Sequence, residues 1–385
     1  MTAVADGWES LPLGSVLTLK RGYDLPKSAR RPGEVPIVSS SGVTGFHSDA
    51  KAEAPGVVTG RYGTLGEVYF VDQPFWPHNT TLYVADFKGN DARFVAYLLM
   101  TLGFGNRSGA AAVPGINRNA LHQISVLWPP LSEQRRIAGV LSAYDELIEH
   151  NTRRIKILEE MAQSIYKEWF VNFRYPGHES VPFVNSPLGP IPEGWERCEL
   201  ASLTDLVSRG ISPTYNESSD RLVINQKCIR NGRLDLSLAR RHTSKVADRK
   251  VLQVGDVLIN STGVGTLGRV TQFCEAHVGF TVDSHVTIVR PTRARLDIDF
   301  FGLALADMES EFAHMGAGST GQTELARARI SAVVLGLPPI GLQSEFGALV
   351  GPLRRLAVEL AKMNATLRQT RDLLLPRLIS GEVTV

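Results

Sequence analysis

Two stretches of the chain place apolar residues at alternating spacings of four and three. The first follows Pro129-Pro130 and uses these positions: Ile137, Leu141, Tyr144, Ile148, Asn151, Ile155, Leu158, Ala162, Ile165 and Trp169. This heptad pattern predicts a helix that packs along another helix. At about 1.5 Å per residue, the helix would be roughly 55–60 Å long. Ser132 is the expected N-cap, with Glu133 in the first turn.

The second stretch follows Pro338-Pro339 and has the same pattern at Phe346, Val350, Leu353, Ala357, Leu360, Asn364, Leu367, Leu374 and Leu378. We expect the two helices to pair antiparallel along these seams. Asn151 and Asn364 are expected to fix the register, a common use of a buried polar residue in a coiled coil. The alternative is ordinary core packing, but the duplicated length favours a spacer.

Other landmarks recur in the same order. Gly7-Trp8-Glu9 returns as Gly194-Trp195-Glu196, and Gly63-Thr64-Leu65-Gly66 returns as Gly265-Thr266-Leu267-Gly268. Further matches pair these residues: Gly109 with Gly318, Arg118 with Arg327, Leu121 with Ile330, and Gln134 with Gln343. A period near half the chain predicts two similar domains. The shift grows along the chain, so the second copy carries insertions, mostly before its glycine turn.

The pattern predicts an α+β protein with a pseudo-two-fold internal repeat. The expected segments are a first globular domain (1–130), a first long helix (131–173), a Pro-rich extended linker (174–193), a second globular domain (194–338), a second long helix (339–379) and a tail (380–385). Short β-branched runs predict strands in both domains, and residues 92–99 predict a helix. If the long helices pair antiparallel, the globular domains lie at opposite ends of a rod.

Composition narrows the class of protein. The chain has 385 residues, 43% hydrophobic and 21% charged, with a net charge of +2. The three cysteines, Cys198, Cys228 and Cys274, have no metal-site spacing. The N-terminal segment lacks signal-peptide features, and no apolar run reaches transmembrane length. We therefore expect a reduced, cytoplasmic protein. The charge alone is too small to indicate a nucleic-acid partner.

Polar and basic side chains cluster in the predicted loops. Arg and Lys suit phosphates and guanine, whereas Asn and Gln suit adenine. As a set on paired domains they form a candidate DNA-reading surface, although each alone is more typical of solvated surface. The candidates are Lys20, Arg21, Tyr23, Lys27, Ser40, Arg61, Tyr62, Asn79, Arg209, Tyr215, Asn225, Lys227, Arg230, Arg241 and Arg269.

The sequence carries little that suggests catalysis. Gly263–Gly268 satisfies G-x-G-x-x-G, but that fingerprint needs a following helix to receive the phosphates. Residues 269–273 read instead as a strand, so we expect a tight turn in which Gly265 and Gly268 hold positive φ. Phosphate-loop, H-E-x-x-H and G-x-S-x-G motifs are absent from the sequence. The chain therefore reads as a binding protein without a catalytic site.

Several stretches resemble the specificity subunits of type I restriction–modification enzymes. PPLSEQRRIAGVL with LEEMAQSIYKEWF resembles the central helical region of that family, and RDLLLPRLISGEV resembles the distal one. IPEGWE, GDVLINSTGVGTLGRV and GRYGTLGEVYFVDQPFWPHNTTLYV resemble parts of its target-recognition domains. The resemblance covers nearly the whole chain. One departure is PPIGLQSEF, where the first copy has PPLSEQRRI.

The resemblance implies that each globular domain reads one half of a split double-stranded DNA target. It further implies two modification (methyltransferase) subunits on the helices, which hold S-adenosylmethionine and methylate adenine, and a separate restriction (translocase–nuclease) subunit. This chain would carry no cofactor. Two alternatives remain open from the residues: a coiled-coil scaffold that reads no DNA, and a nucleotide-dependent enzyme that rests on the glycine motif alone.

Overall fold

The computed structural model describes residues 7–103, 116–186, 189–274, 279–316 and 324–385. Of the sequence features above, Gly109, Gly318 and Pro187 lie outside these residues. The chain forms two compact units. The first unit consists of Met1–Asn151 with Met363–Val385, and the second unit of Thr152–Lys362. Within the described ranges, none of the helices combines the length and apolar character that crossing a bilayer requires.

The two long helices begin directly after the proline pairs. The first runs from Leu131 to Tyr166 and continues as a π-helical turn, Lys167–Val171; the second runs from Ile340 to Ile379. The Pro130 carbonyl accepts hydrogen bonds from the Glu133 and Gln134 amides at 2.9 and 3.0 Å. Glu133 lies in the first turn as predicted, but Ser132 lies inside the helix, so its assignment as N-cap is wrong. A proline lacks the N–H that would go unpaired at a helix start, so the helix begins at Leu131, directly after the prolines and two residues earlier than an N-cap at Ser132 implies.

In the first unit the helix seam is part of the core. Ile137 and Leu141 are fully buried, Ile148 is nearly so, and Leu378 of the second helix belongs to the same cluster as Ile137 and Leu141. Leu374 packs against that cluster, while Tyr144 and Leu367 are half-buried. The helix segments run antiparallel here, because Asn151 bonds Asn364 while Asp145, earlier in the first helix, pairs with the later Arg371.

In the second unit the remaining seam positions pack in two places. Ile155, Ala357 and Leu360 form a small buried cluster with Leu158 against it. Further along, the Tyr166 and Phe346 rings lie 6.3 Å apart within the main core of this unit. Ile165 packs on that core, and Leu353 is half-buried.

The described residues of the first unit form three small sheets. A two-stranded sheet pairs Glu9–Pro12 with Ser125–Trp128. A four-stranded sheet has the order Thr18–Arg21, Thr81–Asp86, Gly56–Gly60, Val68–Val71. A three-stranded sheet has the order Gly42–His47, Val35–Ser39, Trp76–Pro77. The helices Leu13–Val16, Ala92–Thr101 and Arg118–His122 complete the unit, together with the short 3-10 helix Lys27–Ala29.

The second unit has the same three sheets. Glu196–Glu199 pairs with Val334–Leu337. The four-stranded order is Thr204–Arg209, Val286–Pro291, Val257–Asn260, Val270–Gln272, and the three-stranded order is Arg240–Arg241, Leu222–Ile224, Thr281–Val282. The α-helices are Leu200–Leu203, Ile298–Asp307, Glu309–His314 and Arg327–Ser331. Additional 3-10 helices are His178–Ser180, Gln226–Cys228, Leu236–Leu238 and Asp248–Lys250. An additional short hairpin, Ile229–Arg230 with Arg233–Leu234, belongs to the inserted residues.

Strand registers confirm the internal repeat. Glu9 lies opposite Trp128 in the first unit, and Glu196 lies opposite Leu337 in the second. In both strands of this pair, the residue numbers of the two units therefore differ by the offsets seen in the sequence repeat. A buried glutamine repeats as well. The Gln134 side chain accepts from the Asp91 amide at 3.0 Å, as Gln343 accepts from the amide of Asp297 at 3.0 Å. In each unit this bond ties the start of a long helix to the N-cap of the helix Ala92–Thr101 or Ile298–Asp307.

The Pro-rich segment 174–193 differs from the extended linker that the sequence predicted. Phe183–Ser186 and Gly189–Pro192 form an antiparallel hairpin. Tyr175 and Ile191 are buried in the core of the second unit, and the Tyr175 ring lies 6.0 Å from that of Trp195. The prolines obscured this pairing because a two-stranded ribbon leaves free edges that tolerate a residue without an N–H.

Candidate nucleic-acid interface

Loops at one end of the four-stranded sheet bring several candidate residues of the first unit together. We define the first loop edge as Tyr23, Ser40, Arg61, Tyr62, Asn79 and Thr80. The Arg61 and Tyr62 amides both donate to the Thr80 carbonyl, at 2.8 and 3.1 Å. The Ser40 amide donates to the Thr80 hydroxyl at 3.3 Å. Three separate chain segments, at Ser40, Arg61–Tyr62 and Asn79–Thr80, are thus tied together at this edge.

The first loop edge presents aromatic, basic and amide groups. The Arg61 guanidinium lies 4.5 Å from the centre of the Tyr62 ring, which is 37% exposed. Asn79 donates to the Asp24 carboxylate, which also lies 3.6 Å from Arg21. An arginine that stacks on an exposed ring keeps its N–H groups available around the ring plane. Such a surface can contact both phosphates and base edges.

Next to this edge, two tyrosines share a hydrogen bond. The hydroxyls of Tyr23 and Tyr83 are 3.1 Å apart, and the Lys20 ammonium lies 5.5 Å from the Tyr23 ring. The hydrogen bond from Tyr83, with help from Lys20, lowers the pKa of Tyr23. Burial raises the pKa of Tyr83. The positive charge of Lys20 therefore lies beside Tyr23 of the first loop edge. Lys27 is exposed on the short helix Lys27–Ala29.

The second unit builds the same edge from different side chains. The Ser261 amide donates to the His285 carbonyl at 2.8 Å, as Arg61 does to Thr80. The Thr262 hydroxyl and His285 Nδ1 are 2.6 Å apart. Asp283, 3% exposed, accepts from the His285 amide at 2.9 Å, and burial raises the pKa of its carboxyl. We define the second loop edge as Ser261, Thr262, Asp283, Ser284 and His285.

Three predicted residues of the second unit brace loops. Asn225, 9% exposed, accepts from the Lys227 amide and donates to the Leu238 carbonyl, each at 2.9 Å. Arg269 donates to the carbonyls of Ile229 at 3.3 Å and Gly265 at 2.9 Å. Arg209 donates to the Leu325 carbonyl and pairs with Glu324 at 2.6 Å. These bonds hold the loops in shape, and DNA contact by the three residues stays a prediction.

The remaining candidates form an exposed basic surface. Lys227, in the 3-10 helix Gln226–Cys228, and Arg230, in the strand Ile229–Arg230, are exposed near Arg269. In a second group, the Arg240 guanidinium lies 3.4 Å from the Tyr215 ring centre, and Arg241 donates to the Ser219 carbonyl at 2.6 Å while lying 3.7 Å from Asp220. The structure thus brings together Lys227, Arg230 and Arg269 on one side and Tyr215 with Arg241 on another.

Comparison with known proteins shows what the chain is similar to. Residues 5–160 match the family model described as "Type I restriction modification DNA specificity domain". The predicted family resemblance is thereby confirmed. Over 295 residues the chain is 25% identical to the type I restriction enzyme MjaIX specificity subunit of Methanocaldococcus jannaschii, covering 72% of this chain and 65% of that subunit. The putative MjaX specificity subunit of the same organism is 23% identical over 275 residues, which cover 62% of it.

The fold is also found in a solved specificity subunit. The crystal structure of the type I restriction–modification system S subunit from M. genitalium aligns with a TM-score of 0.67 at 17% identity, covering 98% of this chain and 97% of that one. The matches to the two M. jannaschii subunits span less than two thirds of their lengths.

The residues predicted from the sequence for DNA contact do not include Thr80, Thr262 or His285. The available signal was the alignment of His78–Thr81 with Asp283–Val286, which lie between equivalent strands. In both turns the last residue donates back to the first, Thr81 to His78 at 3.0 Å and Val286 to Asp283 at 3.2 Å. The tips of these turns occupy the same place in each unit.

The glycine motif Gly263–Gly268 is a turn, as predicted. Gly265 and Gly268 have φ values of 71° and 81°, and the strand Val270–Gln272 follows. Gly60 and Asn260 occupy equivalent strand positions before the turn, and Val68 and Val270 occupy equivalent positions after it. The turn is therefore two residues longer in the second unit than in the first. Without a helix after the glycines, the motif lacks the N-terminus that a dinucleotide pyrophosphate requires.

Proposed function

We propose that this chain is the DNA-reading subunit of a type I restriction–modification complex, in which each unit reads one half of a split double-stranded target. The observation that carries the proposal is the repeated loop edge. Both units place it at the same end of the same four-stranded sheet, on equivalent strand registers. The scaffold is common to both edges and the side chains at the tips differ, which is the arrangement expected of two readers with different half-targets.

The charges around the edges support binding to a duplex. Exposed Lys20, Arg21 and Lys27 accompany the first loop edge, while Lys227 and Arg230 are exposed in the second unit. Side chains of this type contact phosphates, release counterions and give salt-dependent affinity, and the loop tips then select bases. Phosphate contacts also fix the register of each reader on its half-target. No catalytic role is assigned to this chain.

The modification and restriction activities would belong to partners. We propose two methyltransferase subunits, each holding S-adenosylmethionine, and a translocase–nuclease subunit. A docking surface on the helices is supported by Leu349 and Leu356, seven residues apart on the second long helix and 49% and 41% exposed. Apolar side chains of this size at heptad spacing are suited to packing against a partner protein.

The test is selection from a pool of random-sequence duplexes by the full-length chain, alone and with its modification subunit. We expect enrichment of one split motif with two different halves, and methylated adenine within that motif in cells that carry both subunits. Affinity should fall by about 10³–10⁵ between 50 and 200 mM salt if six to ten phosphates are contacted. Enrichment of no motif, with methylation independent of the chain, would contradict the proposal.

A further inference from the structure

The most informative difference between the two loop edges lies at one pair of equivalent positions. Tyr62 and Thr80 in the first unit correspond to Thr262 and His285 in the second. The equivalence follows from matching hydrogen bonds, in which the Arg61 amide donates to the Thr80 carbonyl and the Ser261 amide donates to the His285 carbonyl. In the first unit the Thr80 hydroxyl faces inward and accepts a hydrogen bond from the Ser40 amide at 3.3 Å. In the second, a histidine at the same position is exposed. The second edge therefore extends a longer, polar side chain.

His285 is exposed and yet held in place. Its Nδ1 lies 2.6 Å from the Thr262 hydroxyl, and its amide is fixed by Asp283 at 2.9 Å. Thr262 in turn sits at the start of the glycine turn, where its carbonyl accepts from the Thr266 hydroxyl. A side chain restrained from two sides loses little conformational entropy when it binds a ligand. Such preorganisation suits a residue that must discriminate between similar bases.

The hydrogen bond also determines what the outer nitrogen can do. When the Thr262 hydroxyl donates to Nδ1, the proton of the neutral ring is on Nε2. When the ring is protonated, Nε2 again carries a proton, and Nδ1 donates to the hydroxyl. A neutral ring that donates from Nδ1 to the hydroxyl would leave Nε2 as an acceptor, but in the two forms above Nε2 is a donor, so its partner is an acceptor. On the major-groove edge of a base pair, N7 and O6 of guanine and N7 of adenine are acceptors of this kind.

We infer that Thr262 and His285 form a specificity-determining pair, in which His285 Nε2 donates to a purine acceptor in the half-target read by the second unit and Thr262 positions the ring. This inference rests on the proposed function, since it assigns a base contact within the duplex that the chain reads. His285 touches the DNA, whereas Thr262 acts through His285. The first unit has no side chain of this reach at Thr80, so the corresponding base of its half-target is read differently.

The experiment repeats the selection from random-sequence duplexes with His285→Ala, Thr262→Val and Thr262→Ser in the full-length chain with its modification subunit. For His285→Ala we expect the preference for a purine to relax by about 10- to 100-fold at one or two adjacent positions of one half-target, with the other half unchanged. Thr262→Val should relax the same position to a smaller extent. Thr262→Ser keeps the hydroxyl and should restore the parent motif.

The matched control is Thr292→Val. Thr292 follows the other end of the same strand, where its hydroxyl bonds Asp205, so the substitution removes the same kind of group away from the loop edge. Thermal unfolding of each variant separates loss of folding from loss of reading.

An unchanged motif with uniformly weaker binding in His285→Ala would mean a phosphate contact and would overturn the inference alone. Relaxation in both half-targets would overturn it as well. If the parent chain itself enriches no motif, the proposed function fails.

Discussion

Asn151 and Asn364 meet inside the helix pair, where the Asn151 amide nitrogen donates to the Asn364 amide oxygen at 3.0 Å. Both side chains are 2% exposed, and Asn364 also donates to the Ile148 carbonyl at 3.1 Å. These are the two polar residues that interrupt the apolar seams. Any slip of one helix along the other would bury both amides opposite apolar neighbours, so the pair penalises other registers.

Replacing one member of this pair should be costlier than replacing both. Asn151→Leu leaves the Asn364 amide oxygen without the Asn151 donor and should lower the free energy of unfolding by about 1–3 kcal/mol. In Asn151→Leu/Asn364→Leu this part of the seam becomes apolar on both helices and most of the loss should return. Urea denaturation of the single and double variants measures the coupling. Strictly additive losses would show that the two amides do not act together.

The seam positions should tolerate charge only where they are exposed. Leu141 is fully buried in the core of the first unit, so Leu141→Asp places a carboxylate without a partner there and should cost several kcal/mol. Ile155→Asp, at 3% exposure in the second unit, should behave likewise. Ile157→Asp is the matched control, since Ile157 is 55% exposed on the same helix. Circular dichroism during thermal unfolding is the measurement, and equal stability of Leu141→Asp and Ile157→Asp would refute the seam.

The two glycines of the turn should differ in sensitivity. At Gly268 a Cβ would lie 2.3 Å from the Ala313 amide nitrogen, so Gly268→Ala adds a backbone clash to the strain of positive φ. At Gly265 a Cβ would meet nothing within 4 Å, so Gly265→Ala carries only the conformational cost, about 1–2 kcal/mol. Gly265→Asn should recover part of it, because asparagine adopts this conformation more readily. Chemical denaturation ranks the three variants; a harmless Gly268→Ala would contradict the turn geometry.

Stability should fall as the solution becomes acidic, in part through His242. This side chain is fully buried, and neither ring nitrogen has a hydrogen-bond partner among the described residues. Burial, aided by the charge of Arg221, lowers the pKa of His242 in the folded chain. The unfolded chain therefore binds the proton more readily than the folded chain. The contribution of neutral His242 to the free energy of unfolding is complete above a pH of about 6.5 and is lost as pH falls toward the lowered pKa.

The check is urea denaturation between pH 5 and 8, comparing the parent with His242→Leu. The variant should show a shallower loss of stability below a pH of about 6.5, because an apolar side chain does not titrate. His150→Leu is the matched control, since it makes the same substitution at an exposed histidine. Parallel curves for the parent and His242→Leu would contradict the assignment.

The first half of the chain, Met1 to about Pro176, should self-associate. It retains the first loop edge and the first long helix but lacks Leu378 and Ile379, which belong to the same buried cluster as Leu141 in the first unit. The uncovered seam should drive dimerisation, with a second copy of the first long helix taking their place. With its modification subunit, such a dimer should methylate an inverted repeat of the first half-target. A monomer by ultracentrifugation, or methylation at the parent's asymmetric target, would contradict this prediction.

The sequence by itself determined the helices, the repeat and much of the strand content. Heptad spacing from Ile137 to Trp169 is local information, because every apolar position of a helix is set by its distance along the chain. The repeated Trp8 and Trp195 indicate the duplication from sequence alone, and the β-branched run after Gly268 argues against a cofactor-binding turn. The longer motifs predict the resemblance to type I specificity subunits.

The tertiary structure decided which polar side chains are available. The Asn225 side chain, a predicted DNA contact, bonds the Lys227 amide and the Leu238 carbonyl, so the structure gives it a role in the loop and its DNA contact stays a prediction. Thr262 and His285 lie 23 residues apart and meet because strands 257–260 and 286–291 pair antiparallel. Pairing across a sheet depends on register between distant segments, which leaves no local trace in the sequence. The side chains that face a ligand are therefore set by that register and not by residue type alone.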